Sequence, residues 1–197
     1  MKKAKKKSLN SYTYYEFLVL FNCCSIELQE EMLKELRNAK CPTRILKKDV
    51  PADFNTLTYG MLDDINNASE SSDPVLECIK LLLQIEPTQA MKLSVYTVFG
   101  FANFCEREIS RINEIFRSIK TNYSAEEIAA GIKELNFGSF GILDWYARRM
   151  GITNQNEVRD VAWIRIFNCM KNDNETNAYE RRLREQYHKK GRRNGRG

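Results

Sequence analysis

The chain has 197 residues and a formal net charge of +5, with 43% hydrophobic and 29% charged residues. This is the composition of a globular protein, which excludes collagen-like and intrinsically disordered classes. Its longest purely apolar run, from Phe17 to Phe21, is too short to span a bilayer, and no cleavage pattern of a signal peptide follows the N-terminal lysines. We therefore expect a protein without a membrane partner, made and kept in a cytoplasm.

The two ends of the chain are strongly basic. Five lysines fall within residues 2–7, and residues 181–197 hold eight basic side chains and one glutamate. Because the whole chain is only +5, the residues between these ends carry a net charge of −7. We divide the chain into a basic N-terminal tail (1–10), a helical domain (11–180) and a basic C-terminal helix end and tail (181–197). Such ends bind a polyanion or an acidic protein surface, or remain solvated tails.

Helix signals dominate the first half of the chain. Ser25 begins a predicted helix that ends before Pro42, with Ile26, Leu33 and Leu36 on one apolar face and Met32 beside them. Residues 42–51 are predicted to be a linker or a short extended piece. Residues 53–68 predict a short helix.

The next helix has the clearest start in the chain. Asp73 followed by Pro74 places a capping side chain directly before a proline at the first helical position. The apolar residues that follow predict a helix that ends before Pro87.

The second half continues in the same way. Apolar residues at steps of three and four predict the longest helix over residues 93–121. Ser124 and Glu127 form a capping box for another helix, which Gly138 and Gly141 separate from a segment that Gly151 ends. A final helical region runs from about residue 156, and we expect the tail from residue 191 to be disordered.

These elements predict an all-α protein. Alternating strands of convincing length are absent from the sequence, and no repeat of fixed period is present. We expect a single compact domain of seven to nine helices with basic, extended termini.

The residue types that usually carry catalysis and metal binding are sparse. The only histidine, His188, lies in the basic C-terminal end, and none of the six cysteines forms a C-x-x-C pair. There is no phosphate-binding glycine loop. We therefore expect no enzyme activity, no metal and no cofactor, and we interpret the cysteines as small buried hydrophobic residues of a reducing compartment.

The C-terminal end fits nucleic-acid binding better than it fits catalysis or metal binding. It mixes arginines and lysines, which neutralise phosphates without reading sequence, with two tyrosines, and helical spacing spreads the charge around the helix. No basic recognition helix follows a tight turn, which argues against a sequence-specific reader. Nonspecific contact with packaged DNA or RNA stays open.

Two tryptophans leave two interpretations open. Trp145 and Trp163 are residues of the kind that anchor protein interfaces, but both also fit a core between the last helices.

Three segments carry a family resemblance. "ADFNTLTYGMLDDI", "SAEEIAAGIKELNFGSFGILDWYARRMG" and "NEVRDVAWIRIFNCMKNDNETNAYERRLREQY" resemble segments of small all-helical structural and assembly proteins of tailed phages of gut Bacteroidetes, the crAss-like group. Together they cover about residues 51–187, roughly two thirds of the chain. The chain departs from this pattern in "VRDVAWIRI" and in its long basic ends.

The resemblance implies a virion protein without catalysis. Its first candidate role is a ring or adaptor subunit of the head–tail connector, which docks below the portal and links it to the tail. The implied partners are further copies in a cyclic homo-oligomer, the portal and other connector and tail proteins, with nonspecific contact to packaged DNA. The alternatives are a tail assembly chaperone absent from the mature virion and a nonspecific nucleic-acid-binding protein.

The basic ends favour the ring, because a connector subunit lies beside a DNA channel and grips its neighbours through its termini. The Ser124–Gly151 unit would then be rigid scaffolding that presents side chains at a fixed angle. The candidate interface residues on this hypothesis are Trp145, Arg148, Arg149, Trp163, Arg181, Arg182, Arg184, Arg192 and Arg193.

Overall fold

A computed structural model of the chain describes residues 8–121 and 123–194, with side chains up to residue 190. The α-helices of this part of the chain are α1 (Tyr14–Asn22), α2 (Ile26–Leu36), α3 (Tyr59–Asn67), α4 (Pro74–Leu83), α5 (Pro87–Ala90), α6 (Val95–Arg117), α7 (Ala125–Ala129), α8 (Gly138–Met150) and α9 (Trp163–Asn194). Short 3-10 helices cover Leu9–Ser11, Ala68–Glu70, Ile132–Glu134 and Gln155–Asp160. The predicted all-α class is confirmed.

The strand content is a single hairpin among the residues described. β1 (Arg44–Ile45) pairs antiparallel with β2 (Lys48–Asp49), and Leu46 in the turn has a φ of +52°. Residues 42–51, predicted as a linker or a short extended piece, are this hairpin and its flanks.

Residue contacts divide the chain into two compact units. The first comprises the described residues up to Phe54 together with Met61–Arg111, and the second comprises Asn55–Gly60 and the described residues from Ile112 onward. The predicted boundaries at residues 10 and 180 stay a prediction.

The first unit packs its core around α6. Phe17 of α1 meets Phe99 edge to face, with ring centroids 5.4 Å apart, and Phe54 meets Phe104 in the same way at 5.2 Å. The side-chain amide of Asn103 donates to the carbonyls of Leu36, Arg37 and Ala39. A helix ends with carbonyls that lack partners within the helix, so Asn103 satisfies the end of α2.

The second unit packs around Trp163 at the start of α9. Trp163 is 1% exposed, and its ring centroid lies 5.9 Å from that of Phe116. The backbone amide of Trp163 donates to the carbonyl of Leu57, and the amide of Tyr59 donates to the carbonyl of Val161. These bonds tie the segment before α3 to the start of α9.

Several predicted details differ from the structure. The longest α-helix is α9, with 32 residues, rather than α6, with 23. The disordered tail expected from residue 191 is wrong up to Asn194, because α9 continues to that residue. Arginine, lysine and glutamine are good helix formers, so the basic C-terminal end favours a helix. Ile26, expected on the buried face of α2, is 70% exposed, whereas Met32 and Leu36 are buried.

The Ser124–Gly151 stretch also folds differently in detail. The capping box of Ser124 and Glu127 is present, but α7 ends at Ala129 and Gly131 adopts a left-handed conformation. Gly138 has a φ of +56° and begins α8, which continues through Gly141. Gly141 is therefore a helical residue and no break, contrary to the prediction. Gly151 caps the end of α8 as expected.

Candidate interaction surface

The segment that leads from α7 into α8 is unusual because it lies on the surface while carrying large apolar side chains. None of the described residues from 123 to 142 is buried. Ile128, Leu135, Phe137 and Phe140 are exposed by 46%, 58%, 69% and 61%. Clustered exposed side chains of this kind mark interaction sites more often than single ones do.

This segment is also acidic. Residues 124–140 contain three glutamates and one lysine. Glu126 and Glu134 are exposed, and Glu127 accepts a hydrogen bond from the backbone amide of Ser124. We call the surface formed by Ile128, Glu134, Leu135, Phe137 and Phe140 the acidic surface.

The last turns of α9 carry a second exposed apolar row. Tyr179, Leu183 and Tyr187 are exposed by 57%, 37% and 64%. They recur every four residues, so they lie on one side of the helix. Residues 179–190 hold five basic and two acidic side chains. We call the row, with Lys190 beside it, the basic stripe.

The side of α9 opposite the stripe contacts α7. The guanidinium of Arg181 lies 3.8 Å from the carboxylate of Glu127 in α7. On the same side of α9, the side-chain amide of Asn174 donates to the carbonyl of Lys120, which lies in the chain between α6 and α7. At 3.6 residues per turn, Leu183 lies about 200° around the helix from Arg181. The basic stripe therefore points away from α7 and toward solvent.

A cleft of about 670 Å³ lies between the start of α7 and α9. Both carboxylates and guanidinium groups line it, so its charge is mixed. Its lining residues are Thr121, Tyr123, Ser124, Glu127, Asn174, Asn177, Ala178, Arg181, Arg182, Arg184 and Glu185.

The structure gives the predicted interface residues different environments. Trp163 is buried in its unit and presents no surface, because its ring fills the space beside Phe116. Trp145 is half-buried, with its ring centroid 6.1 Å from that of Tyr146.

The two arginines of α8 also differ. Arg148 is exposed and pairs with Asp144 one turn earlier, with a distance of 2.7 Å between Nη2 and Oδ2. Arg149 makes a two-pronged contact with Asp173 of α9, which raises the pKa of Arg149 through that hydrogen bond. Arg149 therefore ties α8 to α9.

Of the C-terminal arginines, Arg181 pairs with Glu127 and Arg184 lies 3.6 Å from Glu180. Arg182 is exposed at the cleft. The side chains of Arg192 and Arg193 lie outside the part of the chain described to side-chain level. The interface role of the exposed candidates stays a prediction.

Sequence reasoning missed the residues that dominate the two surfaces. Phe137, Phe140 and Tyr187 were not singled out, although the signal was present. An apolar residue beside a glycine turn, or on the side of a helix opposite its buried face, is a candidate for an exposed apolar side chain.

The described residues hold neither a cluster of metal-ligating side chains nor a membrane-spanning helix. Within residues 8–121 and 123–194, no group of three or more His, Cys, Asp and Glu side chains could hold a metal ion. No helix of the same residues is long and apolar enough to cross a membrane.

Comparison of the chain with models of protein families, with curated proteins and with solved structures finds no match.

Proposed function

We propose that this protein acts by binding rather than by catalysis, as a ring or adaptor subunit of the head–tail connector of a tailed phage. The observation that carries this proposal is the exposure of large apolar side chains on both the acidic surface and the basic stripe. A subunit of a larger assembly keeps such side chains for its neighbours. The sequence resemblance supplies the phage context.

Charge supports the ring over a chaperone. The basic stripe and the basic termini suit contact with an acidic neighbour or with packaged DNA, and a chaperone for an aggregation-prone tail protein needs neither. The expected partners are further copies in a cyclic homo-oligomer, the portal and other connector and tail proteins. The expected location is the virion.

Quantitative mass spectrometry of purified virions and of infected-cell lysate tests this proposal. The ring predicts peptides of this chain in the virion at about the copy number of the portal protein, which serves as the internal reference. Abundance in lysate with absence from virions would contradict the ring and favour the tail assembly chaperone.

The rival from another class is a nonspecific nucleic-acid-binding protein, which the basic stripe with its two tyrosines favours. It predicts tight binding of the free protein to duplex DNA with a steep dependence on salt. The ring predicts weak binding of the isolated protein to DNA. Fluorescence anisotropy with a labelled duplex at several salt concentrations separates the two.

A further inference from the structure

The two exposed apolar surfaces of the second unit are opposite in charge. Glu126 and Glu134 are exposed in the segment that carries the acidic surface, whereas residues 179–190, which carry the basic stripe, hold five basic and two acidic side chains. Opposite charge around apolar centres is the arrangement expected of two surfaces that bind each other.

One chain cannot join these surfaces within itself. The side of α9 that contacts α7 carries Arg181, and the stripe lies on the other side of the same helix. Because the stripe is exposed in its own chain, it is available to a second molecule.

The available area fits a modest interface. The exposed rings of Phe137, Phe140, Tyr179 and Tyr187 each offer on the order of 100 Å². Leu135, Ile128 and Leu183 and the charged margins add to this. A specific interface buries about 1,200 Å² over both partners at its lower limit, so the two surfaces together approach that size.

We infer that the acidic surface of one copy of this chain binds the basic stripe of the next copy. This inference rests on the proposed function and names its self-contact. The contact is heterologous, because different patches meet, and heterologous contacts build closed rings when the rotation between copies closes. Phe137 and Phe140 would pack against Tyr179, Leu183 and Tyr187, with Glu134 facing Lys190.

A pair of charge-reversed variants of the full chain tests this contact. In Glu134→Lys, the new lysine on the acidic surface of one copy would repel Lys190 on the stripe of the next copy. In Lys190→Glu, the new glutamate on the stripe of one copy would repel Glu134 on the acidic surface of the next copy. Each variant alone should associate about tenfold more weakly than the unchanged protein. A mixture of the two should regain association, because copies that alternate pair opposite charges at every contact. Sedimentation velocity over a concentration series measures this.

The apolar part has its own variant and control. Phe137→Ser with Phe140→Ser should abolish association while circular dichroism stays unchanged, since both rings are mainly in solvent. Tyr15→Ser is the matched control, because Tyr15 is 60% exposed on α1 in the first unit. Association should persist in this control.

Other outcomes overturn the inference. An unchanged protein that stays monomeric at every concentration up to its solubility limit contradicts it. Loss of association in Lys190→Glu alone, with Glu134→Lys unaffected, indicates pairing of two stripes instead. Loss of DNA binding in Lys190→Glu without any change in association indicates a nucleic acid as the occupant.

The proposed function fails separately. If the protein self-associates through this contact but is missing from virions, the inferred contact stands and the proposed role as a connector subunit is wrong. Virion incorporation with association intact in both charge-reversed variants would retain the connector and reject the contact.

Discussion

At the scale of single residues, two buried or half-buried polar groups each have a hydrogen-bond partner far away in the sequence. Glu108 on α6 accepts from the guanidinium of Arg111 at 2.6 Å and from the backbone amide of Phe54 at 3.0 Å. The hydroxyl of Tyr14 donates to the carboxylate of Asp73 at 3.1 Å. Both arrangements shift a pKa and so connect stability to pH.

Glu108→Gln should lower the free energy of unfolding by about 1–3 kcal/mol at neutral pH, because it removes a charged acceptor. The hydrogen bond from Arg111 lowers the pKa of Glu108. The contribution of ionised Glu108 to the free energy of unfolding is therefore complete above a pH of about 4.3, the pKa of a glutamate in the unfolded chain. It is lost as the pH falls through the lower pKa that Glu108 has in the folded protein. Urea unfolding at neutral and acid pH should show the difference between the two proteins disappear in acid. Glu106→Gln, an exposed change on the same helix, should have little effect at either pH.

Tyr14 should make the protein less stable in alkali. Burial, together with the nearby charge of Asp73, raises the pKa of the Tyr14 hydroxyl. The stabilisation is complete below the unfolded pKa of about 10 and is lost as the pH rises above it. Urea unfolding between neutral and strongly alkaline pH should show a smaller loss for Tyr14→Phe than for the unchanged protein. The same substitution at exposed Tyr15 should leave the loss unaltered, and an equal loss in all three proteins would contradict the assignment.

At the scale of elements, a close approach fixes the packing of α6 against the chain after α2. A Cβ placed on Gly100 would lie 2.2 Å from the carbonyl oxygen of Lys40. Gly100 is buried, and the atom it faces is backbone, which has little freedom to move. From the sequence alone, a glycine inside a helix indicates either close packing or a kink.

Gly100→Ala should therefore lower the free energy of unfolding by about 1–3 kcal/mol, although alanine is the better helix former. Overpacking against the Lys40 carbonyl outweighs the gain in helix propensity. Urea unfolding measures the change. Ser110→Ala, at an exposed position of the same helix, is the control and should be neutral or slightly stabilising. A stabilised Gly100→Ala protein would contradict the close approach.

At the scale of the whole molecule, the proposed assembly would depend on how the exposed segment before α8 is held. Gly138 has a φ of +56°, which side chains other than glycine rarely adopt, and a Cβ there would meet nothing within 4 Å. Glycine is thus favoured at position 138 because of the backbone conformation, and not because a side chain would lack space. The Phe137 and Phe140 rings flank this residue, so its backbone sets their directions.

Gly138→Val should block assembly while leaving the helical content largely intact. A β-branched residue disfavours the left-handed conformation and shifts the chain that carries the acidic surface. Circular dichroism measures the helical content, and sedimentation velocity measures the assembly. Ser139→Val, an exposed change one residue later, is the control. Normal assembly of Gly138→Val would show that this turn does not matter to the contact.

The sequence by itself determined the helical class and the places where several helices start. Asp73 with Pro74, and Ser124 with Glu127, give local signals that need no distant partner, since their side chains bond to the first turn that follows them. The spacing of apolar residues at three and four positions predicted α6, because this periodicity is also a local property of the sequence.

Only the tertiary structure decided which apolar residues are covered. Spacing placed Ile26 on one face with Leu33 and Leu36, yet Ile26 is exposed while Leu36 is buried, because burial depends on what packs beside a helix and not on its own periodicity. Trp163 became core through Phe116, almost fifty residues away, and Phe137 and Phe140 remained uncovered. A local sequence pattern cannot encode whether a residue far away in the chain packs over a given side chain. The two surfaces proposed to join neighbouring copies consist of apolar side chains that no such residue covers.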